Sequence, residues 1–197
     1  MKATQLEEDY QIFKTKYETC SGLHLPLDYL ERSDVYVFKK GKQIIGGFIL
    51  GKNLPLRTVD VFISEVNKIK LADYFGRNKF CEVCCFWMDK KVQKNAFFNA
   101  KFWMSMAYTV KKQEKKVVLF GTNSKGLAKL YGYPKPSLLF HQDSIRDKET
   151  FVFLAKRDEF FGGVWELVRS KMLKQYRHCE FESKEELKKE LIYEVSK

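Results

Sequence analysis

The sequence predicts a mixed α/β protein: a mostly antiparallel central sheet flanked by helices, with a C-terminal helical extension. Three observations lead there. Short β-rich apolar runs alternate with stretches of helical periodicity. One run, Phe80 to Met88, carries Glu82 as its only charge, the pattern of a strand buried on both faces. The residues beyond 156 hold no further strand pattern, so the core is expected over 1–156 and a helical extension packed on the same domain over 157–197.

Leu6, Tyr10, Ile12, Phe13 and Tyr17 recur at helical spacing, which predicts a helix from about Leu6 to Cys20, interrupted by Gly22 and Pro26. A short helical or irregular segment at Leu27 to Glu31 leads into Val35–Phe38. The turn Lys40-Gly41-Lys42 and the run Gln43 to Leu50 complete an antiparallel hairpin. Turn residues fill Gly51 to Asp60, and Val61, Phe62, Val66, Ile69, Leu71 and Tyr74 suggest a helix ending near Gly76. After the strand Phe80 to Met88 and a polar loop from Asp89 to Asn95, a long helix starts at Ala96 and closes in the lysines 111 to 116, where positive charge suits a helix C-terminus. Val117–Phe120 is a second buried strand. Gly121 to Ser124 opens a short helix closing at Tyr131-Gly132-Tyr133. Ser137 to Gln142 and Thr150 to Ala155 form a last strand pair, and Gly163 to Lys197 reads as two helices joined near His178.

A chain of 197 residues with 45% apolar content, 17 Phe and 10 Tyr can build one substantial core. Its apolar runs are far shorter than the roughly 18 residues a membrane-spanning helix needs. The N-terminal stretch turns acidic where a secretory signal would be apolar, and the five cysteines are an odd number; together they predict reduced thiols in a cytoplasm. Cys81-x-x-Cys84 has no second half to close a tetrahedral metal site, and adjacent Cys84 and Cys85 on a regular strand would point to opposite faces, so no metal is expected. The net charge of +11 favours anionic partners without choosing among nucleic acid, a phosphate-bearing cofactor and an acidic protein. The lysines are spread along the chain rather than gathered in one tail, so most should be solvated surface. Neither a triad around His24, His141 or His178, nor a Walker loop, nor a dinucleotide fingerprint is present.

The order of elements and the segment Glu82-Val83-Cys84-Cys85-Phe86-Trp87-Met88-Asp89-Lys90-Lys91-Val92-Gln93-Lys94-Asn95-Ala96-Phe97-Phe98 resemble the core of the GNAT acyltransferases over roughly Leu6 to Lys156. In that family a buried strand runs into a Q/R-x-x-G-x-G/A loop whose amides, at a helix start, hold the pyrophosphate of coenzyme A. Here Gln93 fills the first position, Ala96 stands for the first glycine and Phe98 for the last small residue. The resemblance implies that Gln93, Lys94, Asn95 and Ala96 grip the cofactor, with unpaired N–H groups and the positive end of the helix dipole favouring phosphate. It also implies that the backbone of Phe86, Trp87 and Met88 holds the pantetheine arm between splayed strands. Asn123 falls in a region similar to the family's N-x-x-A-x-x-L-Y. The surroundings of Glu82 are similar to the E-x-s-R-x-x-v pattern of acyl-homoserine-lactone synthases and long-chain N-acyl amino acid synthases, with Cys85 in place of the arginine.

The implied activity moves an acyl group, acetyl or longer, from acyl-CoA or an acyl carrier protein to a small-molecule or peptide amine. Such a reaction needs a base for the amine and a proton for the departing thiolate. Glu82 is the expected base, because burial in an apolar strand raises a carboxyl pKa and because it lies eleven positions before Gln93, the offset of the family's basic glutamate. Tyr131 resembles the tyrosine that protonates the thiolate. An acidic acyl carrier protein would suit the basic surface. Phe86, Trp87, Phe97, Phe98, Phe102 and Trp103 can line an acyl tunnel or simply pack the core. Two other readings stay open: a non-catalytic basic module binding nucleic acid or an acidic protein, and an interaction protein that dimerises through Val164–Tyr176 and Lys184–Val195.

Overall fold

A computed structural model describes residues 4, 6–53, 55–62, 80–132, 136–145 and 148–172. Its elements run in the order α1 (Glu7–Ser21), α2 (Leu27–Glu31), β1 (Asp34–Lys40), β2 (Gln43–Gly51), α3 (Arg57–Phe62), β3 (Phe80–Met88), α4 (Lys90–Gln93), α5 (Ala96–Lys111), β4 (Val117–Thr122), α6 (Lys125–Tyr131), β5 (Ser137–Ile145), β6 (Lys148–Lys156) and α7 (Arg157–Met172). The strands form one open, six-stranded sheet in the order β1-β2-β3-β4-β6-β5. Every neighbouring pair is antiparallel except β3 with β4.

Alternation along the strands sorts the core into two faces. On one face, Phe48, Leu50, Cys81, Val83, Val118, Phe120 and Phe153 meet Phe102, Trp103 and Met106 of α5 and Phe160, Val164 and Leu167 of α7. On the other, Val35, Ile44 and Ile49 meet Phe13 and Tyr17 of α1 and Tyr29 and Leu30 of α2, while Phe80, Leu119 and Val152 meet Leu56 just before α3. The apolar stripe read from α1 is thus a packing face. The helix ends at Gly22, whose φ of 70° is the left-handed conformation suited to a helix C-cap, with its N–H donated to the Glu18 carbonyl at 2.9 Å. Gly47 lets α1 close on the sheet: a Cβ there would lie 2.5 Å from the Tyr36 carbonyl oxygen and 2.6 Å from the Phe13 ring.

Three elements depart from expectation. Helix α3 starts at Arg57, inside the stretch read as a turn, because its first amides find a distant carboxylate; the predicted continuation towards Gly76 lies outside the described residues. The polar loop after β3 contains a one-turn helix, α4, capped by Asp89. Helix α7 begins at Arg157 rather than Gly163, running through Gly162 and Gly163. Each glycine weakens a helix by about 1 kcal/mol, which is offset here by burial of Phe160, Val164, Leu167 and Val168. The second C-terminal helix, with His178, lies outside the described residues. Among the described residues no helix is long and apolar enough to cross a membrane.

Candidate active site

The site is made by a strand pair that stops pairing. β3 and β4 are in register from Phe80 with Val117 to Val83 with Phe120, and there the ladder ends. Among the described strands β3 runs on to Met88 paired with β2 alone, while Gly121 and Thr122 continue against β6. A bulge marks the parting: between Gly47 and Ile49 of β2 the partner register moves from Trp87 to Cys84, and Cys85 takes a φ of 52°, unusual for a residue with a side chain.

This extra residue reverses the facing of everything after it. Cys84 and Cys85 both join the α1/α2 cluster with Trp87, whereas Phe86 and Met88 turn to the α5 side. The expectation that the two cysteines face opposite ways is therefore corrected, since period-two alternation holds only for a strand without a bulge.

Between the parted strands lies a cleft of about 800 Å³, within the size range of small-molecule sites. Phe86, Met88, Trp103, Leu127 and Tyr131 line it from the α5/α6 side; Tyr17, Arg57, Thr58, Cys84, Cys85 and Trp87 line it from the α1/α3 side. The opening consequently passes through the sheet. Among the described residues, Trp87 Nε1 and Asn99 Oδ1 are buried without a hydrogen-bond partner, and both residues line this cleft. Unsatisfied buried polar groups are rare and costly, so they mark where a polar ligand would be satisfied.

Of the residues expected to bind a cofactor, Phe86, Trp87, Met88, Gln93 and Asn123 line the cleft. Lys94, Asn95 and Ala96 do not; they sit exposed on the adjoining rim. The amides past Asp89 are less available than expected. The Asp89 side chain accepts from Lys91 N at 2.8 Å, and its carbonyl accepts from Val92 N and Gln93 N at 2.9 and 3.0 Å. Asn95 caps α5 by accepting from Phe98 N at 3.1 Å, which leaves the amides of Ala96 and Phe97 at the helix start without an acceptor among the described residues. The Gln93 side chain donates to the Met88 carbonyl at 2.8 Å, tying the rim to the strand end. Phe97 and Phe98 are exposed, 67% and 37%, with their rings edge to face. Phe102 is core, and Phe86 and Trp103, whose ring centroids lie 4.9 Å apart, both pack the core and line the cleft.

Tyr131 lines the cleft from the end of α6, with its ring against Phe120 at 5.2 Å and Trp103 at 6.2 Å. Burial pushes its phenol above the ordinary tyrosine range. Glu82 is elsewhere. It has no exposed surface, does not line the cleft, and sits under α2 and α3 on the α1 side of the sheet. Its Oε1 accepts from Tyr29 Oη and from Arg57 N (2.7 Å); its Oε2 accepts from Thr58 N at 2.8 Å. The carboxyl thus caps the start of α3 from 24 and 25 residues away. Burial raises its pKa, and these hydrogen bonds pull it back in part.

Tyr29, Arg57, Thr58 and the bulge carry no signal in the sequence. Arg57 donates to the His24 carbonyl and lies 5.8 Å over the Tyr17 ring. No local pattern flags these residues, because their contacts with β3 span dozens of positions.

No family model matches the sequence, and no curated protein does. Solved structures do. FeeM, an N-acyl amino acid synthase from uncultured soil microbes, superposes with a TM-score of 0.59 at 15% identity, over 80% of this chain and 90% of its own. MesI, a CoA-dependent acyl-homoserine lactone synthase, gives 0.58 at 11%, over 90% and 93%. BjaI, another such synthase, solved with SAM and isopentyl-CoA, gives 0.56 at 12%, over 83% of each chain. The chain has the GNAT acyltransferase fold.

Proposed function

We propose that this chain is an N-acyltransferase that moves an acyl group from a pantetheine thioester to an amine. The parting of β3 from β4 beyond Val83 and Phe120 is the observation that carries the reading. Parted strands expose backbone donors and acceptors to a linear amide such as pantetheine, and the cleft they open is large enough for a thioester. Trp87 Nε1 and Asn99 Oδ1, buried without partners among the described residues, fit such a polar chain. The free amides of Ala96 and Phe97, beside exposed Lys90, Lys91 and Lys94, suit a pyrophosphate.

Because the cleft is walled from both faces of the sheet, the donor arm lies on the α5/α6 side and the amine reaches the acyl carbon from the α1/α3 side. Tyr131 stands on the donor side and protonates the leaving thiolate. Glu82 holds Arg57 and Thr58 at the acceptor wall. Acyl-CoA and an acyl carrier protein present the same arm; the exposed Phe97 and Phe98 among lysines at the mouth suit a carrier with an acidic surface. Fold-level likeness to an amino acid synthase and to acyl-homoserine lactone synthases supports a small-molecule amine.

Release of free thiol from acetyl- and palmitoyl-coenzyme A, measured with a panel of primary amines, tests the reading. Amine-dependent release that falls about 100-fold in Tyr131→Phe is expected. Absence of release with either donor across the panel would remove the enzymatic reading.

A further inference from the structure

We propose that Cys84 and Tyr29 form a proton relay between the cleft and the enclosed carboxylate of Glu82, making Glu82 the terminal proton acceptor for an amine it never touches. The identity of the proton donor rests on the acyl-transfer reading above; the relay itself concerns three side chains whose contacts stand without it.

Glu82 alone cannot act on a ligand, since it has no exposed surface and does not border the cleft. Tyr29 Oη bridges it outward: it donates to Glu82 Oε1 and lies 3.1 Å from Cys84 Sγ. Cys84 borders the cleft, so an unbroken chain of hydrogen-bonding groups runs from cleft to carboxylate. With Glu82 ionised, the Cys84 thiol donates to the Tyr29 oxygen and the Tyr29 hydroxyl donates to Glu82. With Glu82 protonated, both bonds reverse: the carboxyl donates to the Tyr29 oxygen and the phenol donates to sulfur. With Glu82 ionised every donor in the chain has an acceptor, and with Glu82 protonated the Cys84 S–H is released towards the cleft, which is the condition for a reversible relay.

The backbone is shaped for the contact. Gly51 is the cross-strand partner of Glu82, and a Cβ there would lie 2.7 Å from Tyr29 Oη and 2.8 Å from Glu82 Oε1. Arg32 lies 4.8 Å over the Tyr29 ring on the outer side. Burial leads the causes that raise both the Cys84 thiol and the Glu82 carboxyl, so both ends of the path hold protons more tightly than exposed groups.

In the step proposed, the ammonium N–H bond breaks and its proton bonds to Cys84 Sγ while the original thiol proton passes to Tyr29 Oη and the phenol proton to Glu82 Oε1. The nitrogen keeps the bonding pair as its lone pair, Glu82 becomes neutral, and Cys84 and Tyr29 end as they began. No oxidant or further reactant enters. The groups facing the path are Tyr17 from α1, Arg57 from α3, Cys85 from β3 and Tyr131 from α6.

Two measurements decide it. The first needs no turnover: the infrared S–H stretch of Cys84, identified by its loss in Cys84→Ala, should move to the frequency of an unbonded thiol in Tyr29→Phe and shift in Glu82→Gln. An unmoved band in Tyr29→Phe overturns the relay. Should Tyr29→Phe fold poorly, Glu82→Gln carries the same test, and an unmoved band there overturns it equally. The second is the pH dependence of thiol release from acetyl-coenzyme A with benzylamine as probe amine. Tyr29→Phe and Cys84→Ala should lose about 100-fold in kcat near neutrality and recover as pH nears the pKa of the amine, which then arrives neutral. Cys84→Ser should keep most of the rate, and KM for the donor should not change. A rate lost equally at every pH, as from simple misfolding, overturns the relay. Band shifts in a wild type that releases no thiol would remove the acyl-transfer reading while supporting the relay; turnover with unmoved bands would do the reverse.

Discussion

Glu82 accepts hydrogen bonds from Tyr29 Oη, Arg57 N and Thr58 N with no surface exposed, and its replacement reports on that arrangement directly. In Glu82→Gln, either amide orientation turns an NH2 group towards a backbone N–H, leaving donors opposed; we expect a loss of about 1–3 kcal/mol, read from urea denaturation. The pH dependence has a definite sign. A folded pKa raised by burial means that the native state favours the neutral carboxyl. Stability from this group is full below its unfolded value and declines as pH rises from the ordinary glutamate range through the raised folded one. Denaturation midpoints measured across that window should show a decline in the wild type that Glu82→Gln lacks. Gly51→Ala should destabilise by about 1–3 kcal/mol by pressing on the Tyr29–Glu82 contact, a cost that outweighs the roughly 0.4–1 kcal/mol gained from reduced unfolded-state entropy.

The elements carry their own test at the rim of the cleft. Asn95 supplies the side-chain cap of α5 and orders the helix start where the Ala96 and Phe97 amides stand free. Asn95→Ala should cost about 1 kcal/mol of stability and weaken binding of acyl-coenzyme A, measured by calorimetry, more than it slows turnover at saturation. Element identity was largely legible in the sequence. Phe80–Met88 was readable as a central strand because burial on both faces demands a continuous apolar run, and α5 because its aromatic residues repeat at helical spacing. What was not legible follows from geometry rather than composition. The bulge at Cys85 leaves no mark in an apolar run, yet it moves Phe86, Trp87 and Met88 to the faces opposite those that unbroken alternation would give them. The depth of Glu82 was readable from its isolation, but not its partners: Tyr29 lies 53 residues away, and Arg57 sits in a stretch that reads as a turn.

For the whole molecule, a sheet that is continuous at one end and split at the other meets a ligand that fills the split. A ligand bound only by the native state stabilises it by about 2.7 kcal/mol at a hundredfold excess over Kd, so acyl-coenzyme A should raise the melting temperature, with a smaller shift at high salt if the lysines of the rim contribute. The most direct test of the central claim is amide hydrogen exchange with and without palmitoyl-coenzyme A. The account predicts new protection at Phe86–Met88 of β3 and at Ala96 and Phe97 of α5, with Phe80–Val83, already laddered to β4, unchanged. Protection confined to other surfaces, or none at these amides under conditions where the donor binds, would contradict it.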